Sequence, residues 1–133
     1  MQKLLLAYDG TEPSRRALEL AAVMAHKFDA SLTVVSVIPT RPGRSTIDPW
    51  DDTEVHTHEL LEAGRLLREE GIEAHLVETA GDVPARIEKI ASDGGFDAVI
   101  VGSRGLSMLG RALQGSVSEH VAANAGTTVI VAR

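Results

Sequence analysis

Cysteine is absent from the 133 residues, so disulfides, thiolate metal sites and cysteine nucleophiles are excluded. Aromatic residues make up only 3% of the chain, whereas apolar residues reach 44%. Ala, Val, Leu and Ile must therefore build the core. That composition suits a buried parallel sheet covered by small-residue helix faces better than an aromatic-rich sandwich. No apolar run approaches the roughly 20 residues that span a bilayer, and the short apolar opening meets Asp9 too early for a secretory leader. An excess of basic residues is also missing. The net charge of −6 argues against a general nucleic-acid binder, though not against local capture of one phosphate group. These absences leave a soluble cytoplasmic protein as the expectation, with residues 1–133 forming one domain large enough to hold its own core.

The apolar residues present fall into an alternating order. Lys3–Tyr8 reads as a buried strand that feeds an Asp9-Gly10 turn. Thr11 is placed to cap a helix with Pro13 in its first turn, and Ala17, Leu18, Ala21, Ala22, Ala25 and Phe28 follow at helical spacing. Ser31–Ile38 is a β-branched strand. From Pro39 to about Asp52 all periodicity is lost, the longest irregular connection in the chain and a candidate cover for a ligand. Helical spacing resumes from about Asp52 to Glu70, with Leu60, Leu61, Gly64 and Leu67 on one side and Gly71 closing it.

Glu73–Glu78 alternates polar and apolar residues, as a more exposed strand does. Gly81-Asp82 opens a third helix with Val83, Ile87, Ile90 and Ala91 facing inward. Asp97–Val101 is a fourth strand, a fourth helix runs from Ser116 to about Asn124, and Thr128–Ala132 is the last strand. The order β-α-β-α-β-α-β-α-β predicts an α/β fold, a doubly wound parallel sheet with helices on both faces.

Ligands of such sheets sit beyond the carboxyl ends of the strands, where the strand order reverses. The loops available there begin at Asp9, at Pro39 and at Gly102. The last is the most informative, reading Gly102-Ser103-Arg104-Gly105 and, nine residues on, Gly115-Ser116 at a helix start. Glycines at a strand-to-helix junction let backbone N–H groups approach an anion, and the helix N-terminus adds partial positive charge. The Walker and dinucleotide glycine spacings are both absent. A phospho-acceptor receiver is disfavoured as well, because Asp9 stands without an acidic cluster and no Lys follows the fourth strand.

Gly102-x2-Gly105-x9-Gly115-Ser116, together with the opening LLLAYDGTEPSRRAL, resembles the ATP-binding branch of the universal stress protein family. The likeness runs through the whole chain in order and spacing. With no Cys and no clustered His and carboxylate, the metal expected is Mg²⁺ held mainly by phosphates; the likeness implies a Rossmann-like five-stranded sheet of order 3-2-1-4-5, one ATP per subunit and a role in stress or dormancy. It also implies a homodimer through Thr128–Ala132, and leaves room for an unidentified protein partner. One departure is Thr127-Thr128-Val129, where the family has a Pro-Val-like step.

Read residue by residue, the resemblance puts Gly102, Arg104, Gly105, Gly115, Ser116, Val117 and Ser118 around the phosphates. Ala7, Tyr8 and Val37 fall at the adenosine end, and Asp9 falls there or near a metal ion. Each has a plainer reading: loop shaping for the glycines, a capping box for Ser116-x-x-Glu119, a turn for Asp9, and core packing for Ala7, Tyr8 and Val37. His56 and His58 stand two apart, on different faces of a helix, which is a poor arrangement for a metal. No nucleophile–base or acid–base spacing points to catalysis. Binding is therefore the expected activity. The alternatives are a weak Mg²⁺-dependent ATPase and a nucleotide-free interaction module with the same fold.

Overall fold

The computed structural model describes residues 1–39, 49–103 and 127–132. Its elements are β1 (Lys3–Ala7), α1 (Glu12–Phe28), β2 (Ser31–Pro39), α2 (Pro49–Glu69), β3 (His75–Gly81), α3 (Val83–Asp93), β4 (Ala98–Gly102) and β5 (Thr128–Ala132). The strands form one five-stranded sheet in the order β3-β2-β1-β4-β5, and every neighbouring pair is parallel. The fold class and strand order expected from the sequence are both present. The fourth helix expected at Ser116–Asn124 lies outside the described residues.

Each face of the sheet has its own core. Leu4, Leu6, Leu32, Val34 and Ile100 pack against Ala17, Ala21 and Ala25 of α1 and Leu60, Ala63 and Leu67 of α2. Leu5, Val35, Val37, Val99 and Val101 pack against Ile87 and Ala91 of α3 on the opposite face. Alternate strand residues therefore go to opposite cores, and all five residues of β4 are buried, the pattern of a strand covered on both sides. The small side chains of α1 let its axis lie close to the strands.

Both long helices end in backbone devices that the sequence encodes. The Ile72 N–H donates to the Leu67 carbonyl and the Gly71 N–H to the Arg68 carbonyl, each at 2.9 Å, a Schellman closure of α2 with Gly71 at φ 79°. Asp29 takes the same left-handed place after α1, at φ 51°.

Five details differ from the sequence expectation. α2 starts at Pro49 rather than near Asp52, and β2 runs through Pro39, so both elements intrude on the stretch read as one irregular connection. Proline is well suited to a first helical position, because its missing N–H has no partner there. β3 spans His75–Gly81 rather than Glu73–Glu78, because its register follows β2 from Thr33↔His75 to Pro39↔Gly81. Leu61 is exposed and Ala63 takes its place on the buried stripe of α2. Phe28, the last residue of α1, is half exposed rather than buried.

Candidate functional site

The strand order reverses between β1, whose next neighbour in sequence lies on one side, and β4, which lies on the other. The carboxyl ends of these two strands meet there. Leu6 pairs with Ile100, so Gly102, two residues further, stands level with Tyr8. The Tyr8 N–H donates to the Val35 carbonyl at 3.0 Å, which sets Val37 two residues beyond on β2. The structure thus brings Ala7, Tyr8, Asp9, Val37 and Gly102 to one edge of the sheet. Arg104, Gly105, Gly115, Ser116, Val117 and Ser118 lie outside the described residues.

Asp9 is held by its own turn. Its Oδ1 accepts from the Thr11 N–H at 3.0 Å and from the Thr11 hydroxyl at 2.5 Å. Thr11 is also the N-cap of α1, its Oγ1 accepting from the Ser14 N–H at 3.4 Å. The Ser14 hydroxyl closes the turn by donating to the Thr11 carbonyl at 2.8 Å. Asp, Gly and Thr in succession suit this path, since Gly10 sits at φ 78° and a short carboxylate can accept from an N–H two residues on. Asp9 Oδ2 accepts no hydrogen bond among the described residues.

The other candidates take different places. Tyr8 is 4% exposed and belongs to the core beneath α1 and α2, whereas Ala7 and Val37 join the core beneath α3. Gly102 is constrained from the protein side. A Cβ there would lie 2.5 Å from both the carbonyl carbon and the oxygen of Pro13, and 2.7 Å from the Ser14 nitrogen. The first turn of α1 therefore rests on the end of β4, and only glycine permits that approach.

Glu59 of α2 was not legible as a site residue. A Cβ on Gly10 would lie 2.7 Å from Glu59 Cδ and 2.9 Å from Cγ, so this side chain lies directly against the Asp9-Gly10 turn. His56 Nδ1 is 3.5 Å from Glu59 Oε2, and both atoms are buried without a hydrogen-bond partner among the described residues. Burial pushes the Glu59 carboxyl above the ordinary glutamate range; the Asp9 charge pushes the same way, while His56 and His58 oppose it. The available signal was the i, i+3 spacing of His56 and Glu59 beside buried Leu60. His58 is exposed, on a different face from His56 as its spacing requires.

Among the described residues no group of three or more His, Cys, Asp or Glu side chains could hold a metal ion. No helix among them is long and apolar enough to cross a membrane.

The geometry can be set beside known proteins. The sequence model described as Universal stress protein family matches residues 1–133. A Staphylococcus haemolyticus protein bearing the universal stress protein name is 30% identical over 146 aligned positions, covering 99% of this chain and 84% of that one. The solved universal stress protein from Archaeoglobus fulgidus superposes with a TM-score of 0.75 at 25% identity, covering 100% of this chain and 99% of the other. An Archaeoglobus fulgidus universal stress protein in complex with dAMP gives 0.73 at 24%, covering 100% and 98%. Further solved relatives are complexes with cAMP and with AMP. A family match over the whole length, on a sheet of the expected order, means that this chain belongs to the universal stress protein family.

Proposed function

We propose that residues 1–133 form one nucleotide-binding unit that holds an adenine nucleotide, ATP by preference, at the reversal point of the sheet. The observation that carries this reading is the meeting of the Asp9-Gly10 turn with the end of β4, from which the Gly102, Gly105, Gly115, Ser116 spacing continues. Asp9 Oδ2 has the chemistry to accept from a ribose hydroxyl or an exocyclic amine. The glycines and the helix start expected at Ser116 suit phosphate oxygens. The complexes of related proteins with dAMP, cAMP and AMP support the ligand class. Arg104, within the same run, supplies a cation for the phosphates, and Mg²⁺ is held mainly by the phosphates themselves.

The output is a change of conformation or of protein partner in a cytoplasmic stress or dormancy response, delivered by a homodimer joined through Thr128–Ala132. The first test is to denature the purified protein and identify the released small molecule. ATP, with a thermal shift of several degrees that Gly115→Val abolishes, is the expected result. No released nucleotide and no shift with ATP, AMP or cAMP would overturn the reading.

A further inference from the structure

α1 joins β1 to β2 and α2 joins β2 to β3, both pairs parallel. The two helices therefore run in the same direction, from the carboxyl edge of the sheet back to its amino edge. Between them lies a groove of about 320 Å³. At its far end the His26 Nε2–H donates to the Glu70 carbonyl at 2.7 Å, tying the last turn of α1 to the end of α2. Leu18 and Ala22 of α1 and Leu66 of α2 make an apolar floor, and Val23 continues it up one wall. A lone exposed aliphatic side chain is ordinary. Val23 is 58% exposed at the margin of an apolar strip that two helices share, which is not.

Charge surrounds that strip unevenly. Arg15 lies at the end of the groove nearest the carboxyl edge, where its charge acts on Glu62, and Glu62 already accepts from Arg65. Further along, Glu19 on one wall and Glu69 and Glu70 on the other present carboxylates. Glu69 is bridged by Arg65, whereas Glu19 and Glu70 enter no ion pair among the described residues. His26 is the basic side chain beside them, and its Nε2 is committed to the Glu70 carbonyl. Lys27 and Arg68 belong to the same last turns but do not line the groove. Both helices also end here, and their C-termini add partial negative charge.

An apolar floor between acidic walls complements an apolar stripe flanked by cations, the face of a basic amphipathic helix. The length agrees, since α1 rises about 16 Å, or about three turns, from Arg15 to His26. An acidic partner would set its charge against carboxylates that lack a counter-ion, and a small inorganic cation would leave the apolar floor exposed. We propose that the α1–α2 groove docks a basic amphipathic helix of another protein, with apolar side chains on Leu18, Ala22, Val23 and Leu66 and cations on Glu19 and Glu70. This surface belongs to the partner-binding output proposed above and rests on that reading, whereas the nucleotide's proposed place is the carboxyl edge, beyond the Arg15 end of the groove.

The probe is a fluorescein-labelled synthetic helix with Leu on one face and Lys along both flanks, and its counterpart carries Glu for every Lys. Fluorescence anisotropy with the full chain is expected to give a Kd on the order of 10 µM for the Lys peptide and no saturable binding for the Glu peptide. Val23→Asp should abolish binding although it adds a negative charge. Glu19→Lys with Glu70→Lys should weaken it about tenfold, the scale of two exposed ion pairs turned into repulsions. Glu54→Lys with Asp93→Lys makes the same change in net charge away from the groove and should leave affinity within about twofold. All five replaced side chains are exposed, so each variant is expected to keep the circular dichroism of the folded chain. In ¹⁵N spectra the Lys peptide should shift the amides of α1 and of the last turns of α2 and spare those of α3. No binding of the Lys peptide at about 100 µM, equal binding of both peptides, or equal loss in the two double variants overturns the docking site. ATP affinity of the same preparation is read separately. ATP binding without peptide binding overturns the groove alone, and peptide binding without ATP binding overturns the nucleotide reading alone.

Discussion

Gly102 stands in the proposed nucleotide signature, yet its demand for glycine is met by the fold. A Cβ there meets the Pro13 carbonyl at 2.5 Å, and neither backbone segment can give way cheaply. Gly102→Ala is therefore expected to destabilise the ligand-free protein by about 2 kcal/mol, the scale of overpacking, in a urea titration. Unchanged stability with lost nucleotide binding would assign the glycine to the ligand alone. Glu59 makes the complementary case. Burial, with Asp9 adding, raises its folded-state pKa, so its contribution to stability is complete below the ordinary glutamate range and is lost as pH rises through the raised value. Thermal melts from about pH 4 to about pH 7 should show Glu59→Gln gaining on wild type. A constant gap would mean that Glu59 is solvated. The Asp9-Gly10-Thr11 turn was legible in the sequence because all its partners are local, an acceptor and two donors within two residues. Glu59 was not, because the atom it touches belongs to another element.

At the scale of elements the same division recurs. The cap at Thr11 and the closure at Gly71 are local and were read correctly. The span of β3 depends on how far β2 carries its ladder, to Pro39↔Gly81, so the alternation of Glu73–Glu78 alone set it too early. The start of α2 at Pro49 was hidden because the residues beside it show no apolar period. At the other end of the sheet one side chain reinforces the backbone pairing of β1 with β4. Asp97 Oδ2 accepts from the Gln2 N–H at 2.7 Å and the Lys3 N–H at 2.9 Å, fixing the entry of β1 beside β4. Lys3 adds a hydrogen bond to the Gly94 carbonyl and lies 4.8 Å from the centre of the Phe96 ring. The hydrogen bonds from Gln2 and Lys3 hold the Asp97 carboxyl below the ordinary range. The sign is opposite to that of Glu59: this stabilisation is present above the unfolded-state value, about 3.9, and is lost as pH falls through the folded one. Asp97→Asn should thus melt below wild type at neutral pH, with the gap narrowing in acid. A gap that stays constant into acid would remove Asp97 from the account.

For the whole molecule, the sheet has two outer strands of unlike character. β3 carries Glu78 and His75 and alternates exposed with half-buried residues, and charge on an edge discourages further pairing. β5 reads TVIVA, with no charged residue and three half-buried apolar ones in succession. Ile130 packs into the core on the α1 face of the sheet and Val129 and Val131 into the core on the opposite face, so what the strand leaves unpaired among the described residues is its outer backbone. The direction of that backbone follows from one bond. The Thr128 N–H donates to the Asp97 carbonyl at 2.9 Å, towards β4, and parallel strands alternate, so the N–H groups of Val129 and Val131 point away from β4. The proposed homodimer uses those outward groups, one copy's edge against the other's. Proline at Val129 would delete an outward donor without touching the ladder to β4, a substitution that edge strands tolerate. Sedimentation equilibrium is expected to give twice the mass of one chain for wild type and a single-chain mass for Val129→Pro, with both proteins retaining α/β circular dichroism. The wild-type melting temperature should also rise with protein concentration, as it does when association and folding are linked. A monomeric wild type, or a variant that stays dimeric, would move the interface away from this edge.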